Sequence, residues 1–274
     1  MRALLASPLG FLIGLSLGAL GGGGSILAIP ALVYGAGLDP KAATTTSLLL
    51  VGTAALVGLG RHWRAGRVCV GVGLAFGLAG IGGSLAGSAV NHHSDPDLLL
   101  LMFAGLVAIA AWRMATGCPT CTTVGDSVAL EPAHDAPGAV LLIARPQVDI
   151  RTAAAVLTAG TVVGFLTGLF GVGGGFVIVP ALALLLKLPM PQAIGTSLLV
   201  IAVNSSLALA TRFATTAVEW GTALPFVVAA IAGVVTGGHV ADRLDPRRSL
   251  RWFAALLVAV AAYTAIRAGS ALLS

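Results

Sequence analysis

Gly18-Ala-Leu-Gly-Gly-Gly-Gly-Ser-Ile-Leu-Ala-Ile-Pro30 decides the fold of this chain. It lies inside an apolar run, Leu9 to Leu38, that carries no charged residue. Four consecutive glycines, Gly21 to Gly24, suit a membrane helix poorly, since each costs roughly 1 kcal/mol relative to alanine in a helix interior. Pro30 lacks an amide hydrogen and fits the first turn of a new helix. The stretch therefore reads as two half-helices joined by an unwound segment at membrane depth. Unpaired backbone groups cost several kcal/mol in hydrocarbon, so such a break survives only where it lines a protein-walled cavity. A contact motif of the small-xxx-small kind would space its glycines rather than run them together.

The device recurs. Adding 150 to each number lays Gly168-Leu-Phe-Gly-Val-Gly-Gly-Gly-Phe-Val-Ile-Val-Pro180 on the first stretch without a gap. Between Gly18 and Leu49, 13 of 32 positions are identical to their partners, including Gly21/Gly171, Gly23/Gly173, Gly24/Gly174, Pro30/Pro180 and Thr46-Ser47/Thr196-Ser197. The register continues through Gly83/Gly233, Gly87/Gly237 and Asp95-Pro96/Asp245-Pro246. An internal duplication covering most of the chain is expected, with a membrane repeat at 1–115, a polar connecting loop at 116–151 and a second repeat at 152–274.

Composition agrees with a membrane setting. Hydrophobic residues make up 57% of the 274 positions and charged ones 9%, against roughly 25% charged in soluble domains; mean hydropathy is +1.00. The fold class expected is an all-α polytopic membrane protein of two four-segment repeats, each with a glycine-broken first helix. Apolar segments run over 8–37, 42–60, 68–90 and 98–115, then 153–186, 193–210, 218–240 and 250–268, most of them near the 20 residues a bilayer requires. The net charge of +5 does not point to nucleic acid, because the basic residues sit in short loops, where they set orientation. The first residues could pass for a signal peptide, but the repeat matches them to mid-chain positions, so they read as mature structure.

Orientation follows from the fifteen Lys and Arg residues. If every segment spans once, they divide nine to six. If the broken segments are re-entrant, Arg61, Arg64, Arg67, Arg113, Arg145, Arg151, Lys187, Arg243, Arg247, Arg248 and Arg251 share a side, leaving Arg2, Lys41, Arg212 and Arg267 opposite. Eleven to four is the stronger positive-inside signal, and it makes the repeats inverted, a common transporter plan with the site at the repeat interface.

The candidate substrate site follows from these elements. Gly21, Gly23, Gly24, Gly171, Gly173, Gly174 and Gly175 offer backbone N–H groups and helix N-termini, which favour anions. Ser25 follows the first break and could cap a half-helix or touch a ligand, which its partner Gly175 cannot do. Thr46, Ser47, Thr196 and Ser197 supply hydroxyls at equivalent positions. Back-bonding to helix carbonyls is the alternative for all of them, and the preferred one for Thr44 and Thr45. Asn204-Ser205-Ser206 is a polar group within an apolar helix, suited equally to function or to interhelical hydrogen bonding.

Other groups point less clearly. Cys118-Pro-Thr-Cys121 has redox-like spacing without the βαβ context that would give it meaning. The histidines His62, His92, His93, His134 and His239 show no zinc-like spacing to the cysteines. No Asp, Glu or Lys falls in the middle of an apolar segment, where a proton relay or charge-pair chemistry would need one. An enzyme is therefore not expected, nor a metal, nor a cofactor.

The duplicated Gly-x-Gly-Gly-Gly…Pro-Ala followed by Ala-x-x-Thr-Ser-Leu-Leu resembles the sulfite exporter (TauE/SafE) family. Gly171 through Leu199 is the closer copy; the first departs with Gly22 and Ser25 in place of Val172 and Gly175. The resemblance implies a multi-pass permease of the inner (plasma) membrane for small sulfur-containing anions such as sulfite or a sulfonate, working by export. The partners expected are that anion, the lipid bilayer and, as an option, a second copy of the chain in a homodimer. The alternative is a membrane partner protein that hands on sulfur through the Cys118/Cys121 loop, or a permease for another small anion.

Overall fold

The computed structural model describes residues 2–25, 28, 31–32, 37, 40–91, 102, 105–109, 112, 150–170, 175–186, 188–212, 220–243, 255, 258–259 and 262. Among them there is no strand, and nearly every residue is helical. The order is α1 (Arg2–Leu20), a 3-10 turn (Gly21–Gly24), α2 (Pro40–Arg64), α3 (Val70–Asn91), α4 (Ile150–Phe170), short α5 (Gly175–Pro180) continued by a π-helical turn (Ala181–Leu185), α6 (Met190–Arg212) and α7 (Trp220–Arg243). The loop 116–151 lies outside the described residues except for Ile150 and Arg151, which open α4.

Four helices among the described residues are long and apolar enough to cross a membrane, over Ala42–Arg64, Val70–Val90, Met190–Ala210 and Ala223–Val240, and two shorter apolar stretches are Ser7–Leu20 and Ala153–Leu169. Leu12, Leu78, Leu85, Leu157, Leu224 and Val228 lie on the outside of the bundle. In water such a belt would drive association; in a bilayer it is the lipid-facing surface. Exposed Trp63 closes α2 and exposed Trp220 opens α7, the helix-end placement that anchors aromatic side chains at the interface. Hydroxyls that hydrocarbon would leave unpaired bond their own helix: Thr53 to the Leu49 carbonyl at 2.7 Å, Thr158 to that of Ala154 at 2.7 Å and Thr236 to that of Ala232 at 2.9 Å.

Glycine rows set the packing. A methyl group on Gly10, Gly14 or Gly18 of α1 would run into the carbonyls of Phe226, Ala230 and Val234 on α7, in that order. These two helices therefore touch backbone to backbone and run parallel. On α4, Gly160, Gly164 and Gly168 meet Phe76, Gly80 and Ser84 of α3 in the same way. Each contact of one set becomes a contact of the other when 150 is added or subtracted. Gly233 and Gly237 against Phe11 and Leu15 likewise match Gly83 and Gly87 against Thr161 and Phe165. Lipid tails are as apolar as leucine, so close approach through small residues is what holds such helices together.

The central pair is α2 with α6. Gly52 faces Ser205 and Gly58 faces Leu198, so these two run antiparallel. Gly58 also faces Val234, and Arg61 reaches Gly238 and His239, which sets α2 parallel to α7. Gly73 and Gly77 face Leu199 and Val200, which sets α3 parallel to α6. Thus α1, α2 and α7 point one way, and α3, α4 and α6 the other. α1 and α2 are parallel, so the described start of the link, Gly21–Ser25, leaves the line of α1. Gly24 lies against Ile13 and Leu17 of α1.

The link between α2 and α3 is tight. Gly66 takes φ +65°, Arg67 N–H donates to the His62 carbonyl at 2.9 Å and Gly66 N–H to that of Trp63 at 3.0 Å, a Schellman termination in which only glycine is unstrained at the left-handed position.

The glycine contacts generate a stability test. Gly164→Val should destabilise the detergent-solubilised protein by about 1–3 kcal/mol or prevent its folding, because the Gly80 backbone cannot move aside. Gly82→Ala on α3, with open space around it, should leave stability equal or raise it by about 0.5–1 kcal/mol. Thermal unfolding in detergent measures both, and equal melting of the two variants would contradict the backbone-contact packing.

Candidate functional site

The first glycine run does end a helix. α1 stops at Leu20, and Gly21 takes φ +72°, a conformation that L side chains rarely adopt. A single 3-10 turn follows. The second break, Gly171, Gly173 and Gly174, lies outside the described residues, and so do the surroundings of Gly23; α4 ends at Phe170 and α5 starts at Gly175. The two segments meet near mid-bundle. A methyl on Gly22 would overlap the Gly175 carbonyl, and one on Gly175 would crowd Ser25 and lie 3.1 Å from Ile201, the middle of α6.

The hydroxyls expected at the site divide into two sets. Ser25 is buried and donates to the Gly22 carbonyl at 2.7 Å, so it ties down the turn. Ser197 donates to the Ile194 carbonyl at 2.8 Å and faces Gly21, whose added methyl would lie 3.0 Å from its Oγ. Thr196 is fully buried and its Oγ1 accepts the Cys69 N–H at 3.1 Å, which joins α6 to the start of α3. Thr46 is also fully buried, and its Oγ1 has no hydrogen-bond partner.

Ser47 and Asn204 belong to the second set, because they line a cavity of about 490 Å³. Its wall is built from α2, α3, α4, α5 and α6. The polar groups on it are Thr44, Ser47, Ser84, Ser88, Thr167, Asn204 and Ser205, and among the described residues the lining includes no charged side chain. Asn204 Oδ1 is buried without a hydrogen-bond partner, a group that costs about 1–3 kcal/mol unless something fills its bonding capacity. Ser47 and Thr167 donate to the carbonyls of Thr44 and Val163 at 2.8 and 2.7 Å, leaving oxygen lone pairs toward the cavity and a proton that can be redirected by rotation about χ1.

The cavity occupies one half of the bundle's thickness. Its lining starts at Gly160 and Val200, mid-way along α4 and α6, and at Phe76, a third of the way along α3, and ends at Ser88, Gly168 and Ala208, about one turn short of the helix ends. α2, running the other way, contributes its first turns through Thr44, Ser47 and Leu48. Of the four long helices that line it, α2 turns its N-terminus to this end, whereas α3, α4 and α6 turn their C-termini. Helix dipoles therefore do not supply the main attraction for an anion here; hydroxyl and amide donors must.

Gly21, Gly24, Ser25, Thr46, Thr196 and Ser197 are not part of this wall. Sequence reasoning passed over Ser84, Ser88 and Thr167, single hydroxyls in apolar helices with no local mark of function. A signal was available in the duplication, since each stands where the partner copy has an apolar residue or glycine: Val234, Gly238 and Leu17. No group of His, Cys, Asp and Glu suited to a metal occurs among the described residues.

Comparison with known proteins identifies the class. The profile of the family described as "Sulfite exporter TauE/SafE" matches residues 6–264. A "Probable membrane transporter protein" of Xylella fastidiosa (strain 9a5c) is 33% identical over 268 residues, covering 97% of this chain and 95% of that protein. The "Probable membrane transporter protein YunE" of Bacillus subtilis (strain 168) is 26% identical over 254 residues, covering 89% and 88%. A "Probable membrane transporter protein MJ0441" of Methanocaldococcus jannaschii is 27% identical over 212 residues, covering 74% and 70%. No solved structure matches. A glycine-broken helical bundle of membrane-spanning length, with a polar cavity in its middle and a family profile over nearly its whole length, is a member of the sulfite exporter TauE/SafE family of membrane transporters.

Proposed function

We propose that the chain is a permease of the plasma membrane that exports a small, singly charged sulfur anion, sulfite in its protonated form or a sulfonate. The observation that carries this reading is the half-thickness cavity whose largely apolar wall bears hydroxyls and an amide and, among the described residues, no charge. An ion's desolvation cost grows with the square of its charge, and a buried ion needs paired, hydrogen-bonded surroundings. Hydroxyl and amide donors can replace the hydration of a monoanion. A dianion would need cations, and the described residues of the wall offer none. The sulfur chemistry rests on the family's description.

Two inverted repeats are part of the proposal. The antiparallel pairing of α2 with α6, and the glycine contacts that interconvert on adding 150, support it. With the positive-inside rule, the ends near Arg61, Arg64 and Arg67 are cytoplasmic. The cavity then opens outward, at the end of α3 marked by Asn91. Gly21 and Ser197, one from each half, border the break at the level where substrate would cross.

Among the described residues no carboxylate lines the cavity to carry protons, and the drive is read as electrical. An inside-negative potential favours anion export by about 2.3 kcal/mol per charge per 100 mV. Purified protein in liposomes should move radiolabelled sulfite or a sulfonate at a rate set by an imposed potassium diffusion potential, without a sodium gradient. Flux that follows a pH gradient at zero potential with a permanently charged sulfonate would contradict this drive, and absence of flux for either anion would remove the transport reading.

Truncating the wall should weaken the substrate. Asn204→Ala and Ser47→Ala should each raise the half-saturating concentration about 5- to 10-fold, equivalent to ~1–1.4 kcal/mol for a lost hydrogen bond. Ser25→Ala, away from the wall, should act through stability instead. Unchanged affinity in both wall variants would move the site elsewhere.

Orientation has its own check. With Cys69, Cys118 and Cys121 replaced by Ser, Ala65→Cys, exposed between α2 and α3, should react with a membrane-impermeant thiol reagent in inside-out vesicles and not in intact cells. Labelling in intact cells would reverse the assignment.

A further inference from the structure

We infer that the path is closed on the side opposite the cavity by an apolar barrier, made by Leu17, Ile194, Leu198 and Val234 with Ala54, which is the cavity's counterpart in the other half of the duplication. The inference rests on the transport reading above and adds the residues that stop passive leak.

The argument compares the two copies position by position. Of the polar cavity residues, Thr44, Ser84, Thr167, Asn204 and Ser205 correspond at an offset of 150 to Ile194, Val234, Leu17, Ala54 and Ala55. Ser88 corresponds to Gly238, and only Ser47, paired with Ser197, is polar in both copies. The side chains differ, and so does their packing. Ile194 is 5% exposed, Val234 1%, Leu17 0% and Ala54 1%, whereas Thr44, Ser84, Thr167 and Asn204 are half-buried around open space.

The five counterparts belong to one core cluster together with Leu198. Their contacts are close: a methyl on Gly58 would lie 3.2 Å from both Leu198 Cδ1 and Val234 Cγ1, and one on Gly21 would lie 3.3 Å from Ile194 Cγ2. This cluster sits where the helix directions put it, from mid-bundle toward the Arg61 end. Val234 is in the second half of α7, level with Gly58 of α2, and Leu198 is in the first half of the oppositely directed α6.

Two half-paths of equal geometry therefore have unequal wetting. A wall of hydroxyls and an amide gives water several partners, while an aliphatic constriction excludes it and blocks ions without any charge. An anion can wait in the first half; it crosses the second only when the aliphatic side chains separate. Ser197, beside Gly21 at the boundary, is the polar group it meets on crossing.

The test uses accessibility and leak in the full-length protein. In proteoliposomes of protein lacking Cys69, Cys118 and Cys121, a membrane-impermeant methanethiosulfonate should modify Ser84→Cys from one face and should leave Val234→Cys unmodified from either. Transplanting the wet wall, with Ala54→Asn and Val234→Ser together, should raise passive iodide leak about tenfold, a barrier change of ~1.4 kcal/mol. Val228→Ser, on the lipid face of the same helix, should not. The near-isosteric Val234→Thr keeps the packing volume if the double variant fails to fold, and should also raise leak. Val234→Cys reacting as fast as Ser84→Cys, or iodide leak at the native level in Val234→Thr, would overturn the barrier. Loss of the transport reading looks different: native protein then moves neither sulfite nor a sulfonate, whatever the labelling pattern.

Discussion

Backbone-to-backbone contact between glycine rows is the constraint on which the rest of this bundle depends. In a bilayer the hydrophobic effect does not draw helices together, so the energy comes from van der Waals contact and weak Cα–H···O bonds across close approaches. Gly14 against Ala230 and Gly164 against Gly80 are so close that no side chain fits between. These pairs tie α1 to α7 and α4 to α3, across the chain rather than between neighbours in sequence. The pairing of α2 with α6 is left as the antiparallel centre.

That arrangement explains why a costly glycine run is kept. The chain leaves the line of α1 at Gly21–Ser25 inside the bundle, at a point where lipid offers no hydrogen bonds. Gly21 supplies the left-handed backbone for the turn, Ser25 bonds the Gly22 carbonyl, and Gly175 lets the other half approach. The packing leaves a cavity beside the crossing point, toward one face. Among its described residues the wall is apolar with hydroxyls and an amide and carries no charge, a surface fit for holding an ion without trapping it.

Much of the architecture was legible in the chain because it is written as physical exceptions. A four-glycine run in an apolar segment has no cheap helical reading, and Gly21 does break the helix there. Membrane-spanning helices followed from apolar length alone. Partnership between helices was not legible: an offset of 150 says that Gly14 and Gly164 occupy matching positions, but not that they pack against α7 and α3. Of the expected site residues, Ser47 and Asn204 line the cavity, while Ser197 turns its proton to Ile194 and Thr196 accepts from Cys69. A hydroxyl at a helix start has backbone groups within reach, so its neighbours in sequence do not decide which it takes. Ser84, Ser88 and Thr167 were marked only by the apolar or glycine residues at their offset positions, and folding shows that they border open space.

The central claim is that the uncharged cavity is where the anion sits. Anomalous diffraction from crystals grown with selenite, the heavier analogue of sulfite, tests it most directly. The account predicts a selenium peak inside the cavity, within hydrogen-bonding distance of Asn204 or Ser47. A peak confined to the arginine-rich surface around Arg61–Arg67, with the cavity empty at saturating selenite, would contradict it.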